Sequence, residues 1–136
     1  MKSKILIVED EYISALNFEE YLSSFGFDIV SIVSDGDEAI KKAVELKPDL
    51  ILMDITLKGD TNGIEAANKI KENHDIPILY ITAHIPDNIL EAKLTESYGY
   101  ITKPINEEEL KNKVELALIK HSQEKKFKYA QAKKDL

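Results

Sequence analysis

Three carboxylates, a hydroxyl and an ammonium stand where apolar segments of the chain end. Glu9 and Asp10 follow the first apolar segment, Asp54 ends the third, Thr82 ends the fourth, and Lys103 follows the fifth. If these side chains converge, three carboxylates and one ammonium leave a charge of about −2. Crowded carboxylates raise one another's pKa unless a cation neutralises them, and Mg²⁺ prefers such oxygen ligands. The pattern therefore predicts a magnesium site.

The same residues suit phosphoryl chemistry. Asp54 stands alone at the end of a central segment and is the candidate nucleophile toward a phosphoryl group. Glu9 and Asp10 are expected to hold the metal, while Lys103 and the Thr82 hydroxyl contact phosphoryl oxygens, over which the charge spreads. Polar residues often end strands without any function, but all five at the appropriate ends make that alternative improbable.

The elements that must position these residues alternate regularly along the chain. Strands are predicted over 4–8, 28–33, 50–54, 77–82 and 99–102. Helices are predicted over 12–25, 37–46, 63–73 and 87–97, and from 106 onward, where Asn106 and Glu109 form a capping-box-like start. Such alternation predicts a (βα)₅ domain, a doubly wound parallel sheet in the order 2-1-3-4-5. The carboxyl ends of its strands share one edge, where ligands bind.

Composition bounds the remaining possibilities. The chain has 136 residues, 43% of them hydrophobic, which suits one folded domain. Its net charge is −7 and all 18 basic residues are lysines, so the absence of arginine disfavours direct nucleic-acid binding. Cysteine is absent, which excludes disulfides and thiolate chemistry. No apolar run is long enough for a bilayer and no signal peptide is evident, so we expect a cytoplasmic protein without membrane contact.

The character of the chain changes after residue 120. Segment 121–136 carries five lysines against two acidic residues and contains neither glycine nor proline. Two interpretations stay open for this lysine-rich segment: a solvated tail, or a linker helix that extends the last helix of a domain spanning 1–120. His74 and His121 are expected to lie on the surface.

Several segments together resemble the receiver domain of two-component response regulators. The matching pieces are ILIVEDE at 5–11, DLILMDI at 49–55, NGIE at 62–65, TA at 82–83 and YITKP at 100–104. The resemblance covers residues 4 to 120, and the order and spacing of the pieces agree with it. It implies a flavodoxin-like fold.

The resemblance also implies roles for the acidic residues. Asp54 would accept a phosphoryl group from a sensor histidine kinase or a phosphotransfer protein. Asp10 and Asp54 would contact Mg²⁺ directly and Glu9 mainly through water. The third protein ligand would be the backbone carbonyl of Thr56, two residues past the acceptor. The domain would be a phosphoacceptor with slow autodephosphorylation rather than an enzyme.

A conformational switch is implied as well. Lys103 resembles the pocket lysine of the family, followed by a cis peptide bond to Pro104. Thr82 and Tyr100 resemble the switch pair, whose movement would remodel the face formed by the fourth predicted helix, the fifth strand and the fifth predicted helix. That face would act on a downstream effector protein or domain. Ordinary strand packing is the alternative for Tyr100.

Some features depart from the family pattern or leave alternatives open. The loop over 56–62 lacks the proline common in receivers, and Thr56 and His84 are predicted to set the lifetime of the phosphate. A phosphatase of the haloacid-dehalogenase type is disfavoured, since it needs a second aspartate at the position of Thr56. The remaining alternative is a pseudo-receiver, a binding module independent of phosphorylation. Dimerisation stays open, as does whether the chain acts alone or as the N-terminal module of a longer protein.

Overall fold

The computed structural model describes residues 2–84, 87, 90, 93–94 and 97–135. Five parallel strands form one sheet in the order β2-β1-β3-β4-β5, as predicted. The strands are β1 (Lys4–Val8), β2 (Asp28–Val33), β3 (Leu50–Asp54), β4 (Ile78–Thr82) and β5 (Tyr100–Thr102). The order places β1 and β3 side by side at the centre, which brings the residues after them together.

Four described helices connect and cover the strands. They are α1 (Tyr12–Ser24), α2 (Gly36–Leu46), α3 (Gly63–Asn73) and α4 (Glu107–Lys134), the last being the fifth helix of the sequence prediction. The helix predicted over 87–97 lies largely outside the described residues. Each of the other predicted helices and strands begins within one residue of its prediction.

The core consists of two hydrophobic layers, one on each face of the sheet. Alternate residues of the central strands point to opposite faces, so Leu6 and Met53 belong to one layer and Ile7 and Leu52 to the other. The first layer packs against α2 and α3, and the second against α1 and α4. Burial on both faces explains why these strands read as continuous apolar runs.

Side-chain caps fix where three of the helices begin. Asp35, Asn62 and Asn106 each accept a hydrogen bond from the backbone N–H three residues later, at 2.8, 2.9 and 2.9 Å. Such a cap is worth about 1 kcal/mol. The helix start predicted at Asn106 is therefore confirmed, and the caps at Asp35 and Asn62 anchor helices that border the site edge of the sheet.

The last helix continues without a break through the lysine-rich segment. Helix α4 extends to Lys134, and every described residue after Glu124 is exposed. The prediction that His121 lies on the surface is wrong: it is buried, with Nε2 3.1 Å from a carboxylate oxygen of Asp75. Among the described helices, none combines the length and apolar character needed to cross a membrane.

Candidate functional site

Asp54 occupies the end of the central strand β3 and is buried, with 3% of its surface exposed. Its two carboxylate oxygens have different partners. The backbone N–H of Thr56 donates to Oδ1 at 2.8 Å, and the Lys103 ammonium donates to Oδ2 at 3.0 Å. The carboxylate is thus held in one orientation by groups from two separate strand ends.

Lys103 joins Asp54 to a second buried carboxylate. Its Nζ lies 2.5 Å from Oε1 of Glu9, which directly follows β1 and is 2% exposed. Glu11 is more distant, with its carboxylate 3.9 Å from Nζ, and is exposed. A single ammonium therefore bridges the ends of β1 and β3 from its position after β5.

The third carboxylate of the predicted site lies in the same group. Carboxylate oxygens of Glu9, Asp10 and Asp54 all fall within 4.8 Å of one another. Asp10 is half-buried, and its Oδ2 accepts a hydrogen bond from the backbone N–H of Lys58 at 3.1 Å. Oε2 of Glu9 is buried and has no hydrogen-bond partner among the described residues. These oxygen donors, one of them unsatisfied, suit a hard divalent cation such as Mg²⁺.

Burial and the nearness of other ionisable groups shift the pKa values of Glu9 and Lys103. Burial, together with the neighbouring Asp54 carboxyl, raises the pKa of Glu9 to about 8, although Lys103 acts in the opposite direction. Burial alone would lower the pKa of Lys103, but its bonds to Glu9 and Asp54 outweigh that effect and raise it. The lysine therefore stays charged, and a proton or a cation is needed to neutralise Glu9.

The predicted switch threonine lies at the neighbouring strand end, and its hydroxyl bonds to the backbone two residues later. Thr82 is buried at the end of β4, and its Oγ1 donates to the backbone oxygen of His84 at 3.1 Å. Oγ1 of Thr82 also accepts a hydrogen bond from the backbone N–H of His84 at 3.3 Å. The side chains of His84 and Thr56 are exposed. The hydroxyl of Thr82 is thus hydrogen-bonded to the backbone of His84.

Tyr100 sits at the start of β5, beside Tyr80 in the strand pairing and half-buried against the first hydrophobic layer. The Lys113 ammonium lies 5.8 Å from the centre of its ring and donates to its backbone oxygen at 3.1 Å. A tether from α4 to this strand was not predicted from the sequence. The signal in the sequence that could have indicated this contact is the position of Lys113 on the face of α4 toward β5.

A second residue missed as a functional position is Gly63, at the first turn of α3. A Cβ atom added there would lie 2.0 Å from the backbone oxygen of Asp54. The backbone N–H of Gly63 donates to the backbone oxygen of Ile55 at 3.1 Å. A glycine is therefore required for α3 to pack directly against the strand end that carries Asp54. The signal in the sequence was the Asn62–Gly63 pair, which marked the helix start without indicating this contact.

The Lys103–Pro104 peptide bond is cis, as the resemblance implied.

The structure gathers Glu9, Asp10, Asp54 and Lys103 at one edge of the sheet. Thr82 ends the adjacent strand, and Thr56 contacts the acceptor carboxylate through its backbone N–H. Tyr100 lies farther back in the sheet, next to the hydrophobic layer rather than in the acidic group.

A family model described as the response regulator receiver domain matches residues 5–115, and the chain belongs to this family. It is therefore a signalling module of two-component systems. Among curated relatives, the transcriptional regulatory protein PdtaR of Mycobacterium tuberculosis is 34% identical over 116 residues, covering 85% of this chain and 56% of PdtaR. The phyllosphere-induced regulator PhyR of Methylorubrum extorquens is 34% identical over 105 residues, covering 76% of this chain and 39% of PhyR.

Solved structures agree with this assignment. The signal receiver domain of a modulated diguanylate cyclase from Desulfovibrio desulfuricans superposes with a TM-score of 0.83 at 32% identity, covering 91% of this chain and 99% of that domain. The receiver domain of PhyR from Erythrobacter litoralis gives 0.77 at 30% identity, covering 87% and 91%. The chain spans about half the length of the curated relatives that it matches.

Proposed function

We propose that this receiver accepts a phosphoryl group on Asp54 from a histidine kinase or a phosphotransfer protein. The observation that carries the proposal is the bridge formed by Lys103 between the buried carboxylates of Glu9 and Asp54. The ammonium is placed to meet negative charge that arrives on Asp54. Without that ammonium and a bound cation, the group of carboxylates would instead repel a phosphate.

Mg²⁺ is the cofactor that these donors favour. Asp10 and Asp54 would bind it directly, Glu9 would act mainly through water, and the Thr56 carbonyl would be the third protein ligand. When bound, the cation supplies charge neutralisation between the carboxylates and the incoming phosphoryl oxygens. Glu9 must lose its proton to contribute, because only the carboxylate form attracts the metal.

The transfer itself needs little from the protein beyond position and charge. A carboxylate oxygen of Asp54 attacks phosphorus, an O–P bond forms, and the N–P bond of the phosphohistidine breaks. The imidazole nitrogen keeps the electron pair and is the leaving group. Lys103 stays protonated throughout and pairs with a phosphoryl oxygen, which its raised pKa allows.

The response to phosphorylation would pass through Thr82 and Tyr100. The Thr82 hydroxyl would leave its bond to His84 and donate to a phosphoryl oxygen. Space vacated by that movement would be filled by the Tyr100 ring, which is half-buried and tethered by Lys113. The result is a shift between two packings of the surface around β5 and α4.

A groove beside the site suits the approach of a phosphodonor protein. A cavity of about 280 Å³ lies between α1 and the segment after β5, lined in part by Phe18, Lys103 and Ile105. On the same helix, Tyr12 and Ile13 are each 75% exposed. Exposed apolar side chains next to a reactive centre favour a protein partner there over a small ligand alone.

The phosphate would be lost slowly by hydrolysis, and we propose that Thr56 and His84 set its lifetime. Both side chains are exposed at the site edge, two residues past Asp54 and Thr82 respectively. Substituting either by alanine should change the autodephosphorylation rate at least about threefold. Substituting Asn68, which is exposed on α3 away from the acidic group, should leave the rate unchanged. Unchanged rates in both alanine variants would contradict this role.

The domain would act in the cytoplasm and pass its state to an effector protein or domain, without direct contact to nucleic acid or membrane. A pseudo-receiver, which binds its partner regardless of phosphorylation, is the alternative. The complete acceptor group disfavours it, because a module without phosphorylation has no need to bury Glu9 and Asp54 together.

An NMR titration with beryllofluoride, a phosphoryl mimic, tests the proposal. We expect amide shifts that require both Mg²⁺ and Asp54 and extend to Thr82 and Tyr100. Asp54→Asn should abolish them, whereas Asp60→Asn, an exposed aspartate in the neighbouring loop, should not. Binding without shifts beyond the site would indicate an acceptor that does not switch. No binding at all would support the pseudo-receiver.

A further inference from the structure

Beyond Glu124, α4 is exposed to solvent, with Lys125 and Lys128 bordering cavities shared with the folded body. The helix is tied down as far as Glu124, whose carboxylate accepts a hydrogen bond from the Tyr98 hydroxyl, and by Lys120, which donates to the backbone of Ser97 at 3.2 Å. Every described residue from 125 to 135 is exposed. A helical segment this short gains most of its stability from packing, so an unsupported end indicates a missing contact.

An apolar stripe runs along the outer side of α4. Leu116 is 64% exposed, Ile119 54% and Phe127 71%, and Ala130 is exposed as well. At 100° per residue these positions share one face with Gln123. The buried residues of the helix lie on the opposite side, toward the sheet: Leu110, Val114, Ala117 and His121.

The spacing of the residues in this stripe is symmetric about Gln123. Leu116, Ile119, Gln123, Phe127 and Ala130 are separated by three, four, four and three residues. If a second α4 lies antiparallel with Gln123 opposite its own copy, Ile119 meets Phe127 and Leu116 meets Ala130. Steps of three and four residues are those of helices that pack along a common seam. A twofold axis through Gln123 would therefore align the whole stripe with itself.

Charge along α4 favours the same arrangement. The part over 107–119 has four glutamates and two lysines, a net −2, and the part over 120–134 has six lysines and one glutamate, a net +5. An antiparallel pair sets each acidic half beside a basic half. A parallel pair would set the two basic halves side by side, which costs free energy at moderate salt.

We propose that two copies of this chain associate through antiparallel pairing of α4, with Gln123 on the twofold axis. In each copy the folded body lies on the side of α4 away from the seam. The two bodies therefore lie on opposite sides of the helix pair. Each acidic site edge stays open in such a dimer. The inference does not depend on phosphorylation of Asp54.

Because the chain contains no cysteine, single cysteines can report the geometry directly. Gln123→Cys should form a disulfide-linked dimer on mild oxidation, since the two thiols face each other across the axis. Asn112→Cys alone should not, because a rise of 1.5 Å per residue separates the two copies of position 112 by about 33 Å. An equal mixture of Asn112→Cys and Lys134→Cys should cross-link with each other, as positions 112 and 134 lie opposite.

The oligomeric state of the full chain, measured by sedimentation equilibrium, provides the second test. Wild type should dimerise, and Phe127→Glu should raise the dissociation constant at least about tenfold, which corresponds to about 1.4 kcal/mol. Tyr129→Glu is the matched control, because Tyr129 is 72% exposed but lies on another side of the helix. It should leave the dissociation constant unchanged.

Three outcomes would overturn the proposal. The first is a monomer throughout the concentration series. The second is self-cross-linking of Asn112→Cys and Lys134→Cys, which would show a parallel pair. The third is equal weakening by Phe127→Glu and Tyr129→Glu, which would place the contact elsewhere. Circular dichroism of each variant checks that α4 remains helical.

Discussion

The Lys103 ammonium lies 2.5 Å from a carboxylate oxygen of Glu9, a residue 94 positions earlier in the chain. Because the lysine also contacts Asp54, it holds two buried carboxylates that would otherwise repel each other. The contact joins the strands that carry the acidic group to the strand that begins with Tyr100. It therefore couples the charge of the site to the position of β5.

Replacing this lysine should affect metal binding and switching in opposite ways. In Lys103→Met the nearest competing cation is gone, and we expect Mg²⁺ to bind at least about tenfold more tightly. Beryllofluoride should then produce smaller shifts at Thr82, because no ammonium orders the mimic. An NMR titration of both ligands measures the two effects together. Unchanged or weaker Mg²⁺ affinity would show that Lys103 does not oppose the metal.

The pKa of Glu9 predicts how stability varies with pH when metal is absent. The ordinary value of 4.5 rises to about 8 on folding, so between these values the folded state keeps a proton that the unfolded chain releases. The free energy of unfolding should consequently fall as pH rises from about 4.5 to 8, by on the order of 4 kcal/mol. Lys103 does not change this slope, since its own raised pKa lies far above this range.

Urea denaturation in EDTA at several pH values measures this dependence. Glu9→Gln serves as the control, because an amide cannot titrate and should remove most of the slope. With Mg²⁺ present the trend should weaken or reverse, as metal binding requires the carboxylate form of Glu9. A slope equal in wild type and Glu9→Gln would show that another group is responsible.

Gly63→Ala should disturb the acceptor itself. The new methyl would lie 2.0 Å from the backbone oxygen of Asp54, so α3 or the end of β3 must move. We expect a loss of about 3 kcal/mol in unfolding free energy and weaker Mg²⁺ binding.

Gly26→Ala separates this clash from backbone strain. Gly26 has a φ of +93° and open space where the new methyl would lie, so its substitution should cost about 1 kcal/mol through strain alone. Mg²⁺ binding should be unaffected there. Equal losses in the two variants, with equal metal affinity, would mean that the Gly63 contact has no part in shaping the site.

Thr82→Ala should uncouple binding from its propagation. Without the hydroxyl, beryllofluoride should still bind at Asp54, but the shifts at Tyr100 should fall to less than about half of those in wild type. Thr102→Ala is the matched control, because Thr102 pairs with Thr82 in the sheet yet is exposed. Full propagation in Thr82→Ala would assign the switch to a different residue.

Much of the fold followed from local patterns in the sequence. Continuous apolar runs marked strands buried on both faces, and the capping residue Asn106 marked the start of α4 correctly. Because parallel strands share one carboxyl edge, the order of Glu9, Asp54 and Lys103 along the chain was enough to predict that they meet.

The sequence by itself determined the alternation of elements, the topology and which charged residues gather at one edge, because periodicity and strand ends are local properties. Tertiary structure decided what each atom there does. It left one oxygen of Glu9 without a partner, turned the Thr82 hydroxyl toward His84, and brought Gly63 against Asp54. It also buried His121 beside Asp75. These contacts join residues distant in the chain or depend on rotamers, and no local pattern specifies them.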